Sequence, residues 1–382
     1  MKLRQKPDDF IVEELPNKEW KQSGSYAVYK VSKVGMTTFA AEKVLATHCG
    51  VKFNKIGFAG LKDTHARTVQ YFSVDVQNPQ VGVFQEKNVR SELVGFLDEQ
   101  LRTGDLKGNR FVITVRNLSE KDVEVAKKNE QDVRAGVPNY FDSQRFGSLK
   151  GVEGFIAKDV LKGDFESAVK KIVTATTRHQ KAKIRGVRKF ILAHWGDWRA
   201  CLELIEKNGL ERTSEGTIMR YLAEKPQDFK GAFQRVFKGI RELFFSAYQS
   251  FVWNECVKKV VRETSSGVFS VPYEAGKLVF GRKWRTGELK TLPLLAADMR
   301  VPKEYDRIIK QILAQERMAL VDFFTDEHMY VARERELVLV PNDFAVTFAD
   351  DELHVGKKKA CVSFWLGKGS YATIITKALF EQ

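Results

Sequence analysis

GFAGLKDTHARTVQYFSV, residues 57–74, brings together two glycines, a polar turn and a strand-like run. Gly57 and Gly60 bracket Phe58-Ala59, and glycine permits positive φ or a close approach of backbones. The polar residues Lys62, Asp63, Thr64, His65, Arg67 and Thr68 lead into VQYFSV, whose aromatic and β-branched side chains favour a strand. The stretch is predicted as strand, tight loop, strand, with polar groups presented outward. Loops on a rigid scaffold often carry function, while composition alone also fits a solvated hairpin. What sets this loop apart is Asp63, next to Lys62 and within reach of further cations. Opposite charges favour the ionised form of a carboxylate. At about 4 Å and an effective dielectric of about 20, one such charge contributes ~4 kcal/mol of attraction before desolvation. An ionised carboxylate in a partly closed site suits a nucleophile better than a general acid.

Working outward, the DFIVEEL run alternates apolar and charged residues as a half-buried strand does, and SYAVYKVSKV reads as a second strand. TTFAAEKVLATHCG has a Thr cap, helical periodicity and a closing Gly. VQYFSVDV and RFVITVRN return to strand character, and SEKDVEVAKKNEQDVRAG reads as a capped, solvent-facing helix ending near Gly136. The order is strand, strand, helix, strand, strand, helix. From about 150 to 335 helical patterns dominate, as in LFFSAYQSFVWNECVKKVVRET, and β character returns in ELVLVPNDFAVTF and ACVSFWLGKGSYATIITKALF. The predicted class is α+β. The texture fits a catalytic domain in two parts, 1–149 and 336–382, carrying a mostly helical insertion at 150–335. Three domains in series fit the same texture.

The chain has 382 residues, 43% of them hydrophobic, with 63 Lys+Arg against 49 Asp+Glu and a net charge of +14. At this length a core forms without disulfides or metal. The positive excess fits a polyanionic partner, because each neutralised phosphate releases condensed counterions; solubility alone would also explain it. No run approaches the 18 apolar residues of a membrane helix, and the acids of MKLRQKPDDFIVEEL exclude a secretion signal there. Cys49, Cys201, Cys256 and Cys361 are scattered, and the histidines at 48, 65, 179, 194, 328 and 354 show no ligand spacing. Neither a Walker A sequence nor GxGxxG, HExxH or GxSxG occurs. A cytoplasmic protein without cofactor or metal is expected. Its oligomeric state is not read from the sequence, a monomer being the favoured state.

Two further clusters suit RNA. VPNYFDSQRFGS, residues 137–148, sets Tyr140 and Phe141 beside Asn139 and Arg145. A ring stacks an unpaired base, an amide reads its edge and a guanidinium takes a phosphate, the stacking contributing ~1–3 kcal/mol. RHQKAKIRGVRKF, residues 178–190, holds Arg178, Lys181, Lys183, Arg185, Arg188 and Lys189 with no acid. It fits a basic helix along a phosphate backbone, or equally a solvated face.

Taken together these blocks resemble the TruD family of tRNA pseudouridine synthases. GFAGLKDTHARTVQYFSV resembles the family's AGxKD loop, KPDDFIVEE its N-terminal motif and LKGNRFVITV (106–115) its LKGN strand. PNYFDSQRFG (138–147), LFFSAYQSFVWN (243–254) and SFWLGKGSYAT (363–373) match further blocks in the same order. The resemblance implies a pseudouridine-synthase core, a mixed and largely antiparallel sheet with helices, carrying the family's insertion. It implies isomerisation of a uridine in tRNA, typically at tRNA position 13, with no cofactor or metal. By resemblance the nucleophile is Asp63, and the substrate-binding residues are Phe10, Asn139, Tyr371, Phe141, Arg4 and Lys62. Such chemistry needs a flipped-out nucleotide, a carboxylate near C1′ or C6, and a ring against the detached base. Whether Asp63 attacks the sugar or the pyrimidine, or first takes a proton, stays open, as does whether Lys62 or Arg4 supports its charge. The alternative of another class is a non-catalytic RNA-binding or RNA-chaperone protein using the same basic and aromatic surface.

Overall fold

The computed structural model describes residues 1–382 apart from 80–81, 179, 285–286, 288–289, 326–327 and 382. Two compact units emerge, one of residues 1–137 and 339–382, the other of 138–338. The chain thus leaves the first unit at 137/138 and returns at 338/339, where the changes of texture in the sequence lie near 150 and 336. The PNYF block and the turn after it fall in the second unit.

The first unit is built on a nine-stranded sheet. Its elements are β1 (Phe10–Pro16), β2 (Tyr26–Val34), α1 (Thr38–Cys49), β3 (Ile56–Phe58), β4 (Arg67–Val74), β5 (Val83–Glu86), β6 (Val89–Leu97), β7 (Leu106–Leu118), α2 (Glu120–Ala135), β8 (Asn342–Asp350), β9 (Lys358–Gly367) and α3 (Ala372–Phe380). The strand order is β8-β9-β7-β1-β4-β2-β6-β5, with β3 on β4. Every pairing is antiparallel except that of β1 with β4 at the centre. The two strands predicted on either side of the 57–74 loop are β3 and β4, in register at Phe58↔Phe72.

Local signals set the helix ends. Thr37 caps α1 by accepting from the Ala40 N–H at 3.0 Å, and Gly50 closes it at φ +65°. Ser119 and Asp122 form the capping box that starts α2. Gly57 is required by contact: a Cβ there would lie 2.3 Å from the Leu101 carbonyl oxygen. Gly60 needs neither positive φ nor a close approach, since its φ is ordinary and a Cβ would meet only the Lys62 ammonium at 3.9 Å. The expectation of special backbone thus holds at the first glycine and not at the second.

Two apolar layers cover one face of the sheet. Ala41, Leu45 and Ala46 of α1 pack on Tyr29, Val31, Phe72, Val74 and Val89. At the other half α2 packs with α3, and Phe10, Phe111, Phe364 and Phe344 form a chain of ring contacts across β1, β7, β9 and β8. Successive strand residues alternate faces, so Phe10, Val12 and Glu14 of β1 share a side, as do Tyr29, Val31 and Lys33 of β2, and Thr68, Gln70 and Phe72 of β4. Each of these residues is buried. Glu14, Lys33, Thr68 and Gln70 are thus polar groups on the apolar phase, clustered at the middle strands.

The chain before β1 is pinned by a buried ion network. Arg116 of β7 holds Asp9 at 2.8 Å and Asp351 at 3.0 Å, all nearly fully buried, and Lys2 bridges the Arg116 backbone at 2.7 and 2.8 Å. Burial pushes the Asp351 carboxyl up, but the Asn117 and Leu353 amides, the His354 ring and Arg116 outweigh it and hold it well below the usual range. A group so depressed contributes stability that is present above its ordinary value of 3.8 and is lost as pH falls below it.

The second unit is mainly helical and has its own core. The helix Lys238–Thr264 runs through it, burying Phe245, Tyr248, Trp253 and Val257, with a two-stranded sheet of Gly267–Tyr273 and Gly276–Arg282. No helix among the described residues is long and apolar enough to cross a membrane. Removing one partner of a buried ion pair typically costs ~3–5 kcal/mol, so Arg116→Met is expected to lose about that much stability in urea unfolding at neutral pH. The loss should shrink as pH falls below about 4, where Asp351 protonates in the unfolded chain while its folded-state partners still hold it charged; an unchanged unfolding midpoint would show that the network does not hold the N-terminal segment.

Candidate active site

Asp63 lies in the turn between β3 and β4 and is held at both carboxylate oxygens. Oδ2 meets Arg4 Nη2 at 2.8 Å, and Oδ1 accepts from the His65 backbone N–H at 2.9 Å. Its side chain is 19% exposed and that of Arg4 34%, so the pair opens to solvent. Arg4 reaches it from a left-handed backbone, φ +56°, and its guanidinium carbon lies 4.2 Å from the centroid of the Phe10 ring. Phe10 is buried and anchored edge-on against Phe111. The ring is thus a platform beneath Arg4, a cation–π contact of ~0.5–2 kcal/mol.

Lys62 does not serve Asp63. Its ammonium turns inward to Glu14 Oε2 at 2.5 Å, with side-chain exposures of only 6% and 1%. Its backbone N–H donates to Thr38 Oγ1 at 2.9 Å, Thr38 donates to Gln70 Oε1 at 3.1 Å, and Gln70 Nε2 donates to the Gly60 carbonyl at 3.3 Å. Of the two cations proposed beside Asp63, the structure pairs Arg4 with the carboxylate and Lys62 with Glu14. Burial raises the Glu14 carboxyl above its ordinary value, and the Lys62 charge offsets this only in part. Glu14, Thr38, Gln70 and Lys33 were missed by motif reading. The signal for Glu14, Gln70 and Lys33 is a polar residue on the buried phase of a strand whose neighbours are apolar.

Tyr371 stands at the N-cap of α3 and is half-buried. Arg4, Phe10, Lys62, Asp63 and Tyr371 therefore all belong to the first unit.

Asn139 and Phe141 belong to the second. The Asn139 amide is engaged at both ends: Nδ2 donates to the Glu336 carbonyl at 3.0 Å and Oδ1 accepts from Arg335 Nη2 at 2.8 Å. The Phe141 backbone exchanges hydrogen bonds with the Asn254 side chain at 3.0 and 2.9 Å. Its ring sits edge-on to Trp253, with the guanidinium of Arg335 4.1 Å and that of Arg145 5.5 Å from its centroid. Tyr140, the other ring of that block, is a core residue whose hydroxyl donates to the Val279 carbonyl at 2.7 Å. Arg335 was missed, and nothing in its local sequence marks it.

The basic run forms the helix Ala182–Ala193 with its preceding turn. Arg188 pairs with Glu215, and Arg185 donates to the carbonyls of Arg178 and Gln180. Arg178, Lys181, Lys183 and Lys189 are exposed; His179 lies outside the described residues. Among the described residues no group of three or more His, Cys, Asp or Glu could hold a metal ion.

A carboxylate paired with a guanidinium, on a loop of a largely antiparallel sheet, makes Asp63 the candidate catalytic group. The sequence matches the family tRNA pseudouridine synthase D (TruD) over residues 1–272 and 281–379. It is similar to the probable tRNA pseudouridine synthase D 1 of Methanococcus maripaludis, at 36% identity over the whole of both chains. It is also similar to the tRNA pseudouridine synthase D of Leptospira interrogans, at 30% identity over 99% of this chain and 95% of that one. The crystal structure of the putative tRNA pseudouridine synthase D of Methanosarcina mazei superimposes with a TM-score of 0.78 at 25% identity, covering 99% of this chain and 93% of that one. The chain belongs to the TruD family of tRNA pseudouridine synthases.

Lys62→Met leaves Glu14 buried without its cation. We expect a loss of about 3 kcal/mol at pH 8 that shrinks toward pH 5, because a carboxyl with a raised value destabilises only where folding forces it to stay charged. Urea titrations at the two pH values check this; a pH-independent loss would mean that Glu14 is not the group exposed by the change.

Proposed function

We propose that this chain isomerises the uridine at position 13 of tRNA to pseudouridine, with Asp63 as the nucleophile. The observation that carries the reading is the Arg4–Asp63 contact on the Phe10 platform. A partly exposed ion pair contributes at most ~1 kcal/mol to stability, so stability does not explain why the N-terminal segment and the loop converge on it. Its chemistry does: a fixed, solvent-open carboxylate with a neighbouring guanidinium can attack a nucleotide extruded from its helix. The N1–C1′ bond of the uridine breaks and leaves its electron pair on N1, the base turns, C5 joins C1′, the C5 proton departs to solvent and N1 takes up a proton, so the net change is an isomerisation.

In this reading Phe10 orients Arg4, Arg4 orients Asp63, and Lys62 fixes the loop from behind through Glu14. Tyr371, Asn139 and Phe141 contact the substrate, the last as a ring whose face the Arg335 guanidinium already covers at 4.1 Å. The second unit corresponds to the family's insertion, and its exposed Arg178, Lys181, Lys183 and Lys189 bind the tRNA backbone. The protein works in the cytoplasm as a monomer and uses no cofactor.

Tritium release from tRNA labelled at uridine C5 tests the chemistry. Asp63→Asn is expected to abolish release while tRNA binding persists; wild-type turnover would remove Asp63 from the reaction. Tight tRNA binding with no release by the wild type would instead favour a non-catalytic RNA-binding protein. For the basic helix, Lys183→Gln with Lys189→Gln should flatten the salt slope of tRNA binding by ~0.7–0.9 for each phosphate left without its cation. An unchanged slope would make that face merely solvated.

A further inference from the structure

Beneath the Asp63 loop lies a fully buried lysine. Lys33 ends the inward phase of β2 after Tyr29 and Val31. Burying an ammonium costs its hydration unless protein acceptors replace the water. The acceptors here are two main-chain carbonyls, Met36 at 2.6 Å and Asp63 at 3.1 Å. Across the ladder from Lys33 stand Thr68 of β4 and Val89 of β6, neither of which titrates near neutrality. From the loop, the Asp63 charge favours the ammonium and the Lys62 charge opposes it.

Three buried side chains therefore hold successive parts of one loop by its backbone. Gln70 holds the Gly60 carbonyl, Thr38 the Lys62 N–H, and Lys33 the Asp63 carbonyl. Of the three, Lys33 acts on the peptide from which the candidate nucleophile projects. We propose that Lys33 is a positioning residue for the uridine isomerisation, fixing the Asp63 peptide plane and so the direction of its carboxylate. This rests on Asp63 being the nucleophile. An aspartate has only two side-chain torsions, so its carboxylate follows the backbone closely. A misplacement of about 1 Å at a reacting group costs ~100-fold in rate.

The same burial makes the device sensitive to pH. Loss of hydration pulls the Lys33 ammonium down to about 8. Above that pH a neutral amine still offers N–H groups, but without the charge assistance that strengthens such bonds, and the positive charge behind the carboxylate is gone. Turnover should therefore fall on the alkaline side near pH 8.

The test compares wild type, Lys33→Met and Asp63→Asn on C5-tritiated tRNA as a function of pH. Met fills the volume but leaves both carbonyls unbonded. We expect Lys33→Met to lose about 100-fold in kcat while KM for tRNA changes less than about two-fold, and to lose the alkaline limb that the wild type shows. A variant with wild-type kcat and the limb intact overturns the role of Lys33 and leaves Asp63 standing. Wild-type turnover in Asp63→Asn overturns the reading of Asp63 itself, which is a separate outcome. Equal loss of kcat and of tRNA binding with the limb retained would reduce Lys33 to a structural residue. Should Lys33→Met not fold, single-turnover rates of the wild type decide: a fall centred near pH 8 supports the proposal, and level rates through that pH overturn it.

Discussion

The carboxylate of Asp63 is held by partners from two parts of the chain, the Arg4 guanidinium at 2.8 Å and the His65 amide of its own turn at 2.9 Å. The arrangement depends on where the neighbouring cation goes. Lys62 is adjacent in sequence and would compete for the same oxygens. Glu14, buried on the inward phase of β1, draws that ammonium into the sheet and leaves the open side of Asp63 to Arg4. A carboxylate buried beside the loop thus decides which cation faces solvent with Asp63. That partition is also costly to disturb, because it places two opposite charges where neither can recover its hydration alone.

Support for this partition extends well beyond the loop. Arg4 can reach Asp63 because the N-terminal segment is tied down on both sides, by the Lys2–Arg116 backbone bridge and by Asp9 on the Arg116 guanidinium. The Phe10 ring that underlies Arg4 is fixed in turn by Phe111 and Phe364. The central parallel pair, β1 with β4, brings the start of the chain beside the strand that follows the loop, at Ile11↔Arg67. Topology, ion network and ring contacts therefore converge on one guanidinium.

Much of the first unit was legible in the sequence, because its signals are local. The hairpin of residues 57–74, the Thr37 cap and Gly50 close of α1, and the capped α2 all follow from residues within a few positions of one another. Asp63 was legible for the same reason, as an acid in a basic loop. The division of the chain was legible only as texture, since composition changes gradually while the crossings at 137/138 and 338/339 are set by packing. What stayed hidden is pairing at a distance. Nothing near Lys62 announces Glu14 forty-eight residues earlier, and nothing near Asn139 announces Arg335. The hidden residues did leave one trace, a charge or amide on the apolar phase at Glu14, Lys33 and Gln70. Reading such residues as breaks in a pattern hides them; reading them as buried groups that need partners points to the site.

Chemical rescue of Arg4 tests the central claim most directly. Arg4→Ala opens a solvent-accessible gap over the Phe10 ring, and the single-turnover rate on tRNA can be measured with and without added methylguanidinium. If the guanidinium beside Asp63 sustains the reaction, the variant loses about 100-fold in rate and recovers part of it with methylguanidinium, while Asp63→Asn recovers nothing. A rate equal to wild type in Arg4→Ala without the additive would contradict the account.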